Sequence, residues 1–518
     1  MALSIRRVCL RRKLNFLYIK NRDVIFPSFN SVRNLRGSRI GRELDKTEAK
    51  FQQLLKNLKE RTQKTTLNTA EIPESILKPV IEKENIEAPV KVEDAPLDDV
   101  QRRLEAKITP LKRLTYVRQL ERKYNKSLSL LRMFGEKLRT LKMPIALGSD
   151  KLPCPVELML PSPLIEAYRN QDEFSIGVGP DGNPKTVGFF LEKQLDDVKF
   201  VCVSPEEVVI IKESHKEFLK DFQDYISHSS LSANLTLDDG GHWKSVLVRS
   251  NRAGDLMGII IMNPQTLTKK ELDLEKESLR KYFETVEKNY NLKSLYFQAC
   301  SLSKCSHDQA PFQLLYGDSS ITEELNAMRF QISPESYFQS NTQAAESLYE
   351  SVKKLCRVNE STTVIDIFSG TGPVSLTFAP HVKKCIGIEP CVQAYNDAKN
   401  NAVINNHHNV EFIHGSPDNL LREVLYQDYY NDLIVIINPS RVELSKAALR
   451  SLRECKYLKK IIFISNKPRS AVDNFIKLCK PSGADSYIGK YFVPLLAVPY
   501  DISPQTEHFG LIVMFQRL

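Results

Sequence analysis

The sequence predicts an α/β fold: a C-terminal parallel sheet, preceded by an α+β domain and an N-terminal helical segment. Three observations carry this. From Val352 onward, apolar β-branched runs at 363–368, 384–389, 410–414, 433–438 and 461–465 alternate with helical segments. Such alternation gives a parallel sheet covered on both faces. Two long apolar runs, 492–498 and 510–515, then close the chain with a Pro-containing loop between them, the pattern of a hairpin. Upstream, residues 155–330 instead mix short β-like runs with one charged helix over 268–290, as in an α+β domain. At 518 residues the chain exceeds one ordinary core, so two or three domains are expected.

Residues 1–45 read as a mitochondrial transit peptide. Residues 1–42 hold eleven Lys/Arg against one acid, Asp23, with Leu, Ile, Phe and Tyr interspersed. This stretch accounts for the whole net charge of +10, so the rest of the chain is neutral. A basic RNA-binding tail is the alternative. Residues 46–104 read as a flexible linker, because 61–101 alternate Pro, Lys and Glu without an aromatic residue. Such a stretch has too little apolar surface to offset backbone entropy. No run approaches the roughly 18 apolar residues of a spanning helix, so no membrane is expected. The tightest cysteine cluster, Cys300 and Cys305 with His307, is one ligand short of a tetrahedral site. Reduced thiols and no metal are expected.

Residues 105–150 form a basic helical segment. Leu111, Leu114, Val117, Leu120, Tyr124, Leu128, Leu131, Leu138 and Leu141 recur mainly at steps of three and four. Another face carries Lys112, Arg113, Arg118, Arg122, Lys123, Lys126, Arg132, Lys137, Arg139 and Lys142 against Glu121 and Glu136. That face is either merely solvated or contacts phosphate. The α+β domain spans 151–330, with β-like runs at 174–178, 186–190, 199–203, 245–248 and 258–262 and turn chemistry at Gly179-Pro-Asp-Gly-Asn183.

The last domain spans 331–518. Its first strand ends in Asp366-Ile-Phe368-Ser-Gly370-Thr-Gly372, where glycines let the backbone approach a ligand and turn into a helix. Glu389 ends the second strand and can accept hydrogen bonds from ribose hydroxyls. The third glycine of the dinucleotide fingerprint is absent, with Ser375 in its place, which favours S-adenosylmethionine (SAM) over NAD.

The segment Ser333-Pro-Glu-Ser-Tyr-Phe-Gln339-Ser-Asn341, with Ala345-Glu-Ser-Leu-Tyr349 after it, resembles the RNA (uracil-5-)-methyltransferase family, nearest its animal mitochondrial branch. Tyr168-Arg169-Asn170 and the 179–189 stretch resemble that family's central domain, and the likeness runs from about residue 105 to the end. The resemblance implies a class I SAM-methyltransferase (Rossmann-like) C-terminal domain. It implies SAM contacts at Gln339, Phe368, Gly370, Gly372, Pro373, Glu389 and Asn438. It implies RNA partners, mitochondrial tRNA and/or small-subunit rRNA, met in the matrix by a monomer. Asn438 stands where the family has Asp, in Asn438-Pro-Ser-Arg441. That tetrad superficially resembles the Asn-Pro-Pro-aromatic motif of amino-methyltransferases, but lacks the ring that stacks a flipped base.

Carbon 5 of uracil is a poor nucleophile, and the family's route is covalent. A thiolate adds at carbon 6, carbon 5 takes the methyl, and a base removes the carbon-5 proton. The cysteine's place holds Asn466, in Ser465-Asn-Lys-Pro468, and the glutamate's place holds Gly510, in Thr506-Glu-His-Phe-Gly510. Flanking Ser465, Pro468, Thr506 and His508 persist, so both losses fall on the chemistry. Glu507 is a conceivable substitute base. Restoring Asn466→Cys with Gly510→Glu is expected to return some activity.

Overall fold

The computed structural model describes residues 97–518 except 144, 146, 193–199, 235–239, 428–431, 440–443, 482–488 and 518. The leader assigned to 1–45, most of the linker, and Arg441 therefore lie outside the described residues. Two helices come first, α1 (Leu97–Ile108) and α2 (Tyr116–Thr140). The α+β domain follows as β1 (Gln171–Gly177), β2 (Thr186–Glu192), β3 (Phe200–Val203), α3 (Glu213–His228), β4 (Trp243–Ser250), β5 (Asp255–Met262), α4 (Lys269–Thr285), β6 (Asn291–Ala299) and β7 (Gln313–Gly317). Its sheet runs β3-β2-β1-β4-β5-β6-β7, with only β5 and β6 parallel and α4 as the crossover between them. A capping box fixes the start of α4: Thr268 accepts from the Glu271 N–H, and the Glu271 side chain accepts from the Thr268 N–H.

A hairpin of β8 (Ile321–Leu325) and β9 (Met328–Ile332) leads into the last domain. This comprises α5 (Thr342–Cys356), β10 (Thr362–Ile367), α6 (Pro373–Phe378), β11 (Lys384–Glu389), α7 (Val392–Ile404), β12 (Val410–His414), α8 (Pro417–Tyr426), β13 (Asp432–Ile437), α9 (Lys446–Glu454), β14 (Leu458–Ser465), α10 (Pro468–Cys479), β15 (Val493–Tyr500) and β16 (Gly510–Gln516). Strand order is β12-β11-β10-β13-β14-β16-β15, parallel from β12 to β14, with β16 antiparallel to both neighbours. The pleat sends Ile365, Ile367, Val435 and Ile437 into one core and Val364, Ile434 and Ile436 into the other. The β-branched runs are thus buried on both faces, as a parallel sheet requires.

The domain boundaries differ from the sequence reading in three places. Residues 97–104, assigned to the linker by composition, lie in α1, because Val100 and Leu104 fall on one helix face and enter the α+β core. Helix α2 packs with the last domain: Tyr124, Leu131, Phe134 and Leu138 join its core, and the Phe134 and Phe475 rings lie 5.7 Å apart. The segment after α2 pairs in parallel with the sheet edge at Val156–Ala497 and Leu160–Tyr500. An apolar stripe shows which face is buried, but not against which core more than 300 residues away. Cys300 and Cys305 also differ from expectation. The turn after β6 brings their Cα atoms to 5.8 Å, and they form a disulfide. No described helix is long and apolar enough to cross a membrane.

Candidate active site

Strand β10 hands the chain to a loop in which Phe368, Gly370 and Gly372 have φ of 65°, 56° and 88°. The Phe368 and Ser369 N–H groups both donate to the Ile388 carbonyl, at 3.0 and 3.2 Å, which holds Phe368 in a left-handed conformation that side chains avoid. A Cβ on Gly372 would stand 2.7 Å from Phe412 Cζ, so the turn into α6 and Pro373 admits only glycine. A Cβ on Gly370 would meet only the Tyr337 carbonyl, at 3.9 Å, so the loop is open to close approach there. Glu389 accepts from the Gly370 N–H at 2.8 Å and the Cys391 N–H at 2.9 Å, and burial raises its pKa. Each of its oxygens keeps further acceptor capacity.

Asp366 lies beneath this loop. Its Oδ2 accepts from the Ser375 N–H at 3.2 Å and Oγ–H at 2.8 Å, and burial pushes its pKa up to about 7. Asp366 Oδ1, Ser369 Oγ and Thr371 Oγ1 are buried without a partner among the described residues. Three such oxygens around one glycine loop suit a polar ligand or ordered water.

The Gln339 loop is pinned from three sides. On α7, Asp397 accepts from the Ser333 N–H and Oγ–H and from the Ser336 Oγ–H, at 2.6–2.9 Å. Asn401 donates to the Thr371 carbonyl at 3.0 Å and accepts from the Gln331 N–H at 2.7 Å, joining this loop to the glycine loop. Asn341 caps α5 by accepting from the Ala344 N–H at 3.1 Å. From the α+β domain, Asn170 donates to the Gln339 carbonyl at 2.7 Å and to Thr342 Oγ1 at 2.8 Å, while the Tyr168 hydroxyl donates to the Pro504 carbonyl at 3.0 Å. Tyr168-Arg169-Asn170 thus braces two motifs at once.

Asn466 follows β14. Its Nδ2 donates to Gln339 Oε1 at 3.3 Å, and its Oδ1 accepts from the Tyr500 hydroxyl at 2.7 Å. The Tyr337 hydroxyl also donates to Gln339 Oε1, at 3.0 Å. The amides of Gln339 and Asn438 both act to lower the pKa of the buried Tyr349 phenol, which burial raises, so Asn438 lies beside the same network. Burial raises the Tyr500 pKa well above its ordinary value, so the phenol stays a donor. Gly510 lies opposite Tyr500 in the β15–β16 register, and a Cβ there would stand 2.0 Å from Tyr500 Cζ. No side chain fits at 510 while that ring is in place. In Asn466→Cys with Gly510→Glu, expected from the sequence to return some activity, the new side chain at 510 would therefore meet the Tyr500 ring.

The alternatives for catalysis are occupied elsewhere. Glu507 pairs with Arg122 at 2.7 Å and with Lys126. Burial acts to raise its pKa, but these two cations outweigh burial and the net shift is downward, opposite to what a base needs. Ser465 Oγ accepts from the Lys467 N–H at 3.2 Å, which offers it no base. Cys479 lies fully buried in α10.

Helix α2 braces the same loop. Lys123, read from sequence as part of a solvated or phosphate-contacting face, is fully buried, with Nζ 2.8 Å from Asp501 Oδ1 and from the Ser503 carbonyl. Gln119 donates to Gln505 Oε1 at 2.8 Å and accepts from the Gln505 N–H at 2.9 Å. Sequence reasoning missed Tyr500, Asn170 and Lys123 as parts of the site. For Tyr500 a signal existed, since pairing the terminal hairpin places it opposite Gly510. Among the described residues, no group of three or more His, Cys, Asp or Glu could hold a metal.

Similarity to known proteins accords with this geometry. A family profile described as RNA cap guanine-N2 methyltransferase matches residues 361–441, the glycine-loop half of the last sheet. The tRNA (uracil-5-)-methyltransferase homolog B of Danio rerio is 37% identical over 421 residues, covering 80% of this chain and 87% of that protein. Its Homo sapiens counterpart is 36% identical over 431 residues, covering 82% and 85%. Among solved structures, the Pyrococcus abyssi tRNA (uracil-54, C5)-methyltransferase in complex with S-adenosyl-L-homocysteine matches with a TM-score of 0.54 at 22% identity. It covers 78% of this chain and 84% of that one, a likeness of fold.

Proposed function

The chain belongs to the tRNA (uracil-5-)-methyltransferase family, and on that premise we propose that it binds RNA and SAM but has lost methyl transfer. The RNA would be tRNA, of the U54 type, and/or small-subunit rRNA, bound by a monomer in the mitochondrial matrix. One observation carries the reading: Asn466, in the nucleophile's place, is hydrogen-bonded to Gln339 on one side and Tyr500 on the other. A carboxamide has no nucleophilic state near neutral pH, and both ends of this one are engaged.

The glycine-loop residues fit the cofactor. Gly370 leaves room for close approach, Glu389 has acceptor capacity for hydroxyls, and three buried oxygens need partners. Gln339, Phe368, Gly370, Gly372, Pro373, Glu389 and Asn438 would hold it. SAM, when bound, supplies an electrophilic methyl group. This chain offers no thiolate at 466 to activate carbon 5 and no carboxylate at 510 to remove its proton.

The test is a tRNA transcript containing 5-fluorouracil, incubated with the wild-type chain and SAM. Fluorine blocks the final elimination, so an active enzyme stays covalently attached. No SDS-stable adduct is expected, while calorimetry detects SAM binding. An adduct would sink the reading in favour of a rearranged enzyme. Failure to bind SAM at millimolar concentration would leave an RNA-binding protein alone. For location, a matrix-isolated protein beginning near Met1 would contradict a cleaved leader.

A further inference from the structure

We propose that Tyr500 is a built-in occupant of the target-base pocket: its phenol spans the gap between positions 466 and 510, where the family's uracil would be held. The inference rests on the family reading of positions 466 and 510. The reaction needs one planar six-membered ring held between two groups, a nucleophile at carbon 6 and a base at the proton of carbon 5. The Tyr500 ring touches both positions. A Cβ at 510 would stand 2.0 Å from its Cζ and 2.2 Å from its Cε2, and its hydroxyl lies 2.7 Å from Asn466 Oδ1. The ring takes the room that a side chain at 510 would need, and its hydroxyl reaches across to the residue in the nucleophile's place.

The occupant is held from both sides. Tyr500 pairs with Gly510 on β16, and on its other edge the chain pairs with residues 156–160. There the Leu160 N–H donates to the Pro499 carbonyl at 2.8 Å, and the Asp501 N–H donates to the Leu160 carbonyl at 2.9 Å. The side chain is 2% exposed. The backbone that carries the ring is therefore paired on both edges, and the ring is not borne on a loop free to swing away. A flipped base already costs a few kcal/mol of lost stacking, which its pocket must offset, and an occupied pocket cannot do so.

This reading makes two departures one. Gly510 gives the ring its space, Asn466 gives its hydroxyl an acceptor, and the Asn466 amide then bonds Gln339. The RNA is held without extraction of a base.

The experiment compares full-length Asn466→Cys with Asn466→Cys/Tyr500→Val, each given SAM and the 5-fluorouracil tRNA transcript. The introduced thiolate donates its electron pair to carbon 6. The carbon 5–carbon 6 π pair then forms the bond to the methyl as the sulfonium–methyl bond breaks and S-adenosylhomocysteine leaves. Carbon 5 then carries fluorine and methyl with no proton to remove, so the S–C bond persists and no base at 510 is needed. SDS-stable adduct is expected to be about tenfold or more higher with Tyr500→Val. Tyr500→Phe, which keeps the ring, should stay as closed as Tyr500. Equal adduct with and without Tyr500→Val would overturn the proposal. So would no adduct from a Tyr500→Val variant that is folded and binds both ligands.

A second arm needs no chemistry. Gly510→Ala should lower Tm by about 5 °C or more with Tyr500 present, and by much less alongside Tyr500→Leu. Equal drops in both backgrounds would also overturn it. Adduct formation by the wild-type chain is a separate outcome, one that removes the pseudoenzyme reading itself.

Discussion

At the glycine-loop end of the site, three buried oxygens (Asp366 Oδ1, Ser369 Oγ and Thr371 Oγ1) have no partner among the described residues. At the hairpin end, Gln339, Asn466 and Tyr500 are bonded to one another, and a ring fills the space beside Gly510. An unpaired buried polar group costs about 1–3 kcal/mol, a cost a fold sustains where something else satisfies it. The first end is built for a ligand, while the second satisfies itself. On the proposed reading, the loss of chemistry is local to the target-base end, while the glycine loop keeps unpaired groups for a cofactor.

Four predictions test that contrast. The largest effect concerns the brace of the hairpin end. Lys123→Met leaves Asp501 as a buried charge without its ion-pair partner and should destabilise by about 3–5 kcal/mol in urea unfolding, with Asp501→Asn recovering part of the loss. A neutral outcome would mean the loop is not held shut from α2.

Next comes the pH response of the glycine-loop end. Burial raises the folded pKa of Asp366 from 3.8 to about 7. Between these values the folded state keeps a proton that the unfolded chain has lost. Its contribution to stability is fully present below about pH 4 and is lost as pH rises through 7. Wild type should therefore lose about 4 kcal/mol relative to Asp366→Asn between pH 4 and pH 8. Parallel stability curves for the two proteins would remove this argument.

Asn170→Ala probes what the two ends share. It removes the bonds to the Gln339 carbonyl and Thr342 Oγ1, and should cost about 2 kcal/mol while weakening SAM binding about tenfold by calorimetry. Unchanged SAM affinity would show that the Gln339 loop keeps its place unaided. The smallest effect is expected for Arg122→Ala/Lys126→Ala. These half-exposed ion pairs with Glu507 should be worth less than about 1 kcal/mol, and the salt dependence of RNA binding should barely change. A shallower salt slope would instead show that this face of α2 contacts phosphate.

Much of this was legible in local sequence. The apolar β-branched runs placed β10 to β16 within a few residues, and the glycine loop and Glu389 fell at strand ends as expected. Helix α3 and strands β6 to β9 were not anticipated, although α3 carries a helical stripe in Phe218, Leu219, Phe222, Tyr225 and Ile226 and β8 alternates buried and exposed residues. The basic stripe of α2 was misread at Lys123, because a lysine in a helix looks the same whether it faces water or a buried carboxylate.

The sequence by itself determined the parallel sheet, the family, and that Asn466 and Gly510 stand where the resemblance expects a thiol and a carboxylate. These are facts of residue type at fixed local spacing. Only the tertiary structure decided that Glu507 is committed to Arg122 and Lys126, that α2 packs on the last domain, and that Tyr500 takes the room Gly510 leaves. The physical reason is register. Which ring meets which glycine depends on how β15 pairs with β16 and with residues 156–160, and the last of these contacts joins positions some 340 residues apart.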